Sequence, residues 1–137
     1  MQIIEFDDGM RGYRINNGGV LRFNPADPNI YTRFMQLDEK MEQLQQQLKG
    51  IQDIAQQMSA ADRGMKQMLG WVFGEHNDFD ALLGGVSLLA VACNGKRVLT
   101  NLLEALEPLL LEGAESCVAD LADQAAEHAA ARREHQC

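Results

Sequence analysis

Between Ile30 and Met58 the apolar positions fall at Ile30, Phe34, Leu37, Met41, Leu44, Leu48, Ile51, Ala55 and Met58. The gaps alternate four and three, a 3.5-residue repeat held over about four heptads. Most positions between them are polar, with Asp38, Glu39, Lys40, Glu42, Gln43, Gln45, Gln46, Gln47 and Lys49 among them. The pattern predicts one long amphipathic helix over about 28–58, roughly 45 Å at ~1.5 Å per residue. Asp27 is placed to cap it, and Pro28 suits its first turn, where a missing N–H costs nothing. Gly50 lies inside the span and weakens it by about 1 kcal/mol relative to alanine. Such a helix is not stable alone and must lay its stripe on something. Two partners are open to it: the chain's own later helices, or a helix of another molecule.

Upstream the periodicity shortens to two. Ile3, Ile4 and Phe6 precede Asp7-Asp8-Gly9, and a strand over Arg11 to Ile15 is followed by Asn16-Asn17-Gly18-Gly19 and a return over Val20 to Phe23. Asn-Gly sequences accept the positive φ of tight hairpin turns, so a two- or three-stranded antiparallel meander is expected. Downstream, Ser59-Ala60-Ala61-Asp62 resembles a cap for a helix over about 60–73, carrying Met65, Met68, Leu69, Trp71, Val72 and Phe73. Glu75-His76-Asn77-Asp78 reads as a loop, with Asp78 or Asp80 capping a short turn. Val86 to Cys93 is apolar on most sides and is expected to be buried. A last helical region covers about 95–133, with a kink expected near Pro108 and a division at Gly113. The expected fold is mainly α: a small N-terminal β-hairpin or meander over 1–24, and a helical domain over 25–137 in which one long amphipathic helix leads into a bundle.

Composition narrows the function. Of 137 residues 46% are hydrophobic but only 6% aromatic, which favours helix packing over a β-sandwich. The formal charge of −8 and the absence of a basic stripe argue against nucleic acid or an anionic membrane surface as partner. Three widely spaced cysteines, Cys93, Cys117 and Cys137, form no zinc-type spacing and suggest reduced thiols in a cytoplasmic protein, the first two as core fillers and Cys137 exposed. No signal-peptide pattern opens the chain, and no apolar run is long enough to span a bilayer.

Catalytic signatures are absent: no GxSxG, HExxH, Walker or GxGxxG pattern occurs. His128 and His135, seven apart beside Cys137, read as a helix tail rather than a metal site. Glu75, His76, Asp78 and Asp80 gather oxygen ligands and one imidazole without calcium-loop spacing, and an enzyme using Glu75, His76 and Asp78 ranks last. No cofactor and no metal are expected. The specific signal is the heptad stripe, and Phe34, Leu37, Met41, Leu44, Leu48 and Ile51 are its candidate partner-binding residues. Its methionines suit a changeable partner.

The order of these pieces resembles a known family. The meander, Phe23-Asn24-Pro25-Ala26-Asp27-Pro28-Asn29 leading into Tyr31-Thr32-Arg33-Phe34, the Glu/Gln/Lys-rich helix, Trp71-Val72-Phe73-Gly74-Glu75, Leu83-Gly84-Gly85 and Leu102-Leu103-Glu104-Ala105-Leu106-Glu107-Pro108-Leu109-Leu110 look like the small tail assembly chaperones of long-tailed phages and prophages of Gram-positive bacteria. The likeness covers roughly residues 10 to 112, and the tail from Ala125 to Cys137 has no counterpart in it. It implies a non-enzymatic helper in the cytoplasm of a bacterial host that coats the coiled-coil tape-measure protein and recruits tail-tube protein subunits around it. Families of this kind often have a short form and a frameshifted long form. A homo-oligomer is expected, with no nucleic acid and no membrane partner. The alternative is a self-associating coiled-coil structural or adaptor protein.

Overall fold

The computed structural model describes residues 1–135. Two antiparallel strands, β1 (Arg11–Arg14) and β2 (Val20–Phe23), are followed by α1 (Pro28–Met35), α2 (Leu37–Leu48), α3 (Ile54–Phe73), α4 (Phe79–Leu82) and α5 (Val98–His135). The fold is mainly helical with a small N-terminal hairpin, as the periodicity predicts.

The hairpin pairs Arg11 with Phe23 and Tyr13 with Leu21. Its turn closes through Ile15, whose N–H donates to the Gly19 carbonyl at 2.9 Å while its own carbonyl accepts from Gly18 N–H at 2.8 Å. Asn16 takes the positive φ of 51° that this turn requires. Leu21 and Phe23 point inward and are fully buried. Ile3, Ile4 and Phe6 do not join the sheet. Residues 1–10 contain neither helix nor strand, and these three side chains stay largely exposed.

α1 begins where the capping residues predict, with the Asp27 carboxylate accepting from Asn29 N–H at 2.9 Å. The single helix expected over 28–58 is instead three segments. The helical run is interrupted at Gln36, α2 stops at Leu48, and residues 49–53 turn the chain back into α3. Two local features favour the reversal: Lys49-Gly50 is a weak helical stretch, and the Asp53 carboxylate caps α3 by accepting from Ala55 N–H at 3.1 Å. Asp53-Ile54-Ala55-Gln56 carries the spacing of a capping box, so the cap of α3 lies six residues before the one expected at Ser59. Ser59 to Asp62 lies inside α3 and caps nothing.

α2 and α3 run antiparallel. Gln57 Nε2 reaches the Leu48 carbonyl, Leu44 packs on Gly64, and Lys40 Nζ stands 5.1 Å from the Trp71 ring centre, so partners approach as one number falls and the other rises. The lack of a side chain at Gly64 permits this approach: a Cβ there would sit 2.8 Å from Leu44 Cδ1.

Val86 to Cys93 is not the buried segment expected. Leu88 is fully buried, but Val86, Val91 and Cys93 are exposed, because the segment is a surface loop whose backbone needs solvent or turn partners. Leu88 N–H finds one in Asp62 at 2.8 Å. Cys117 is half-buried rather than core. α5 is one continuous helix of 38 residues through both Pro108 and Gly113. Gly113 marks no division. It is the point where α5 crosses the chain before α1, and a Cβ there would collide with the Pro25 carbonyl.

The core lies between the hairpin, α1, α3, α4 and the first half of α5. Phe23 and Phe73 meet edge to face at 4.9 Å between ring centres, and Tyr13, Phe34 and Phe79 extend the cluster. Leu69, Val72, Leu88, Leu106 and Leu110 complete it.

Candidate functional site

The six stripe residues do not share one environment. Leu37 is buried in the core with 3% of its surface exposed, and Phe34 packs against Phe73. Met41 and Leu44 are half-buried against the same core, while Leu48 and Ile51 are half-buried towards the α2–α3 connection. The stripe is thus covered largely by the chain's own α3. This follows from the reversal at 49–53, which gives α2 a partner within the same molecule.

The cover is incomplete. Met41, Leu44 and Leu48 form one wall of an open groove of about 520 Å³, with Met58, Ala61 and Met65 of α3 opposite and Leu89 and Leu99 at its end. Gln45, Gln57 and Arg97 supply its polar margin. Arg97 is held there by donating from Nη1 to the Leu89 carbonyl at 3.2 Å. A groove with methionines on both walls adapts its shape cheaply, because the thioether side chain has several accessible rotamers. Its dimensions and polarity fit the apolar edge of a helix or extended segment, held without hydrogen-bond readout. Sequence reasoning finds Met41, Leu44 and Leu48 from the stripe. Met65, Leu89 and Leu99 carry no signal of membership, since only the packing of α3 and the 83–97 loop brings them alongside.

A second, charged cleft of about 950 Å³ lies on another side of α3, lined by Ser59, Asp62, Arg63, Lys66 and Gln67 with Glu75, Asp78 and Asp80 across from them. Its centre is Lys66, 8% exposed, whose Nζ lies 2.8 Å from Asp62 and 2.6 Å from Asp80. Burial pushes the Asp62 carboxyl up, but the Lys66 ammonium and the Leu88 and Ser87 donors outweigh it and hold it below its ordinary value. Burial likewise pushes Lys66 down, and its two carboxylate partners more than reverse this. Every polar atom at the centre already has a partner, so the cluster ties α3 to α4 and to the 83–97 loop.

Two of the loop residues weighed for catalysis make structural contacts. His76 Nε2 stands 3.0 Å from the Arg22 carbonyl, and Asp78 caps α4 by accepting from Asp80 and Ala81 N–H groups. Asn77, unremarked in sequence, is the buried member: its Oδ1 accepts from Arg22 N–H and its Nδ2 donates to the Arg22 carbonyl, both at 2.9 Å. Among the described residues no group of three or more His, Cys, Asp or Glu side chains is placed to hold a metal ion. The His128 and His135 side chains and Cys137 lie outside the described residues.

One further apolar row is exposed. Beyond Gly113, α5 carries Ala114, Val118, Leu121 and Ala125 at three- and four-residue spacing, continuing from Leu111, with Val118 and Leu121 each about two-thirds exposed. Glu112, Glu115, Asp123 and Glu127 are interspersed with it. No described helix is long and apolar enough to cross a membrane.

Compared with protein-family models, curated proteins and solved structures, the chain matches none.

Proposed function

We propose that this protein is a non-enzymatic assembly chaperone that holds an apolar helical client in the Met41–Leu44–Leu48–Met58 groove. The tape-measure protein of a long phage tail is the client implied by the family resemblance, with tail-tube subunits recruited around the complex in the host cytoplasm. The single observation supporting the reading is the groove itself. It is an apolar, methionine-walled trough left open on a protein of net charge −8, and like charge keeps such a complex dispersed while the trough shields the client.

The test is co-expression with a tape-measure protein, reading how much of that protein stays in the supernatant. Wild type raises the soluble fraction, and Met58→Glu, at a side chain 54% exposed, removes the effect while shifting Tm by less than about 4 °C. A Met58→Glu variant that protects the client as well as wild type sinks the proposal.

The alternative, a self-associating coiled-coil adaptor, draws on the exposed α5 row rather than on the predicted stripe. In that case Val118→Glu lowers the mass seen by light scattering, and the soluble fraction of the client does not depend on this chain.

A further inference from the structure

The hairpin has two edges and only one is occupied. Since Ile15 and Gly19 are hydrogen-bonded partners, the alternation of an antiparallel ladder makes Tyr13–Leu21 and Arg11–Phe23 bonded pairs too. The backbone groups of Arg22 therefore point away from β1, where the Asn77 amide takes both. By the same alternation those of Gly12 and Arg14 point away from β2, and among the described residues they have no hydrogen-bond partner. β1 thus presents an open edge.

The two faces beside that edge differ. Tyr13 and Ile15 lie on the inner, apolar face, while Gly12, Arg14, Val20 and Arg22 lie on the outer one. The Arg22 guanidinium lies near Gly12 on this face: a Cβ on Gly12 would be 3.9 Å from Arg22 Nη1, and 2.9 Å from Val20 Cγ1. Two arginines, neither within ion-pair distance of a described carboxylate, therefore flank the open edge of an otherwise acidic protein.

The chain carries a segment with the matching pattern. In an extended strand Ile4 and Phe6 share one face, and Glu5 and Asp7 share the other. Laid along β1, such a segment would set Ile4 and Phe6 beside Tyr13 and Ile15, and its two carboxylates beside Arg14 and Arg22. The chain's own segment is directed elsewhere. Asn24 Nδ2 donates to the Asp8 carbonyl at 3.1 Å, Asp7 and Asp8 turn the backbone at Gly9 and Met10, and Gly9 adopts a φ of 77° against Asn24. This root holds residues 1–6 off their own hairpin, with Ile3, Ile4 and Phe6 each more than three-quarters exposed.

We propose that residues 3–7 of one copy add as a third strand to the Gly12–Arg14 edge of a second copy, and that the exchange is reciprocal, giving a two-fold dimer. The pairing satisfies the open backbone groups, covers Ile4 and Phe6, and neutralises the two arginines. It does not depend on the client reading, which uses the α2–α3 groove.

Sedimentation equilibrium of the full chain from about 5 to 500 µM tests it, a range suited to an interface this small. The expected result is a monomer–dimer equilibrium. Ile4→Asp, Glu5→Arg and Arg14→Glu each weaken it about tenfold, an attraction being exchanged for a repulsion in the two charge reversals. Glu5→Arg combined with Arg14→Glu restores it to within about threefold of wild type. All three positions are exposed, so the variants keep the fold. At the higher concentrations the Gly12 and Arg14 amides also become protected from hydrogen exchange. A wild type that stays monomeric throughout overturns the proposal, and so does a dimer indifferent to these substitutions or one that the double reversal fails to restore. Groove function is read separately by Met58→Glu, so the two proposals fail independently.

Discussion

The Asn77 side chain acts as a strand for Arg22: its amide oxygen accepts from Arg22 N–H and its amide nitrogen donates to the Arg22 carbonyl, each at 2.9 Å. The same nitrogen donates to the Phe73 carbonyl at 3.2 Å, so one buried side chain locks the hairpin to the end of α3. This gives the loop after Phe73 a structural role. Asn77→Ala leaves buried backbone groups unpaired and lowers unfolding free energy by about 2–3 kcal/mol in urea titration. Asn77→Asp is at least as damaging, because it sets a carboxylate against two carbonyl oxygens.

Leu44→Asp separates core from interface. Leu44 is half-buried, packing on Gly64 and against the core, so a charge there loses those apolar contacts and is partly desolvated without a partner. The expected outcome is a loss of about 3 kcal/mol or more, seen as a lower urea midpoint. Ile54→Asp, at an exposed first-turn position of α3, changes stability by less than about 0.5 kcal/mol. A stable, folded Leu44→Asp protein would show that the stripe is not packed in solution as it is in this fold.

Two glycines respond oppositely to alanine. At Gly113 the added methyl meets the Pro25 carbonyl, a backbone atom that cannot swing aside, so Gly113→Ala costs about 2–3 kcal/mol through displacement of α5. At Gly50 nothing lies within 4 Å and φ is not positive. Gly50→Ala therefore stabilises by about 0.4–1 kcal/mol, chiefly by restricting the unfolded chain. Thermal unfolding of the two variants reads both signs.

The Asp62–Lys66–Asp80 cluster sets a pH dependence with two limbs. Asp62 is held below its ordinary value, so its contribution is complete above about pH 4 and is lost as pH falls through the lower folded value. Lys66 is held above its ordinary value, so its contribution is complete below about pH 10 and is lost as pH rises through the higher folded value. Asp62→Asn flattens the acid limb in urea titrations across pH. Asp62→Ala costs more than Asp80→Ala, about 2–3 against less than 1 kcal/mol. Asp62 is mostly buried and also caps Leu88 N–H, whereas Asp80 is two-thirds exposed.

What was legible from sequence is what neighbours in the chain decide. The Asn16–Gly19 turn, the Asp27–Pro28 start of α1, the Asp78 cap and the helical character of the remainder each depend on residues within a few positions of one another. The Asp53 cap is equally local, but the heptad repeat continues unbroken across the reversal at 49–53 and points to one uninterrupted helix. Periodicity reports that a face must be covered and does not say by what.

The covering was decided only in three dimensions. α3 folds back on α2, so Leu37 becomes core with Phe34 packed against it, and Met41, Leu44 and Leu48 keep an edge on an open groove. Asn77 and Arg22 are 55 residues apart, and Gly113 and Pro25 meet from opposite ends of the chain. No one-dimensional pattern encodes such pairs, because a hydrogen bond or a close backbone approach depends on the final position of both elements. The sequence by itself determined the local turns and caps, the mainly helical character and the positions of the apolar faces. The tertiary structure decided which faces met each other and which remained open, since burial is a property of the assembled chain rather than of any segment.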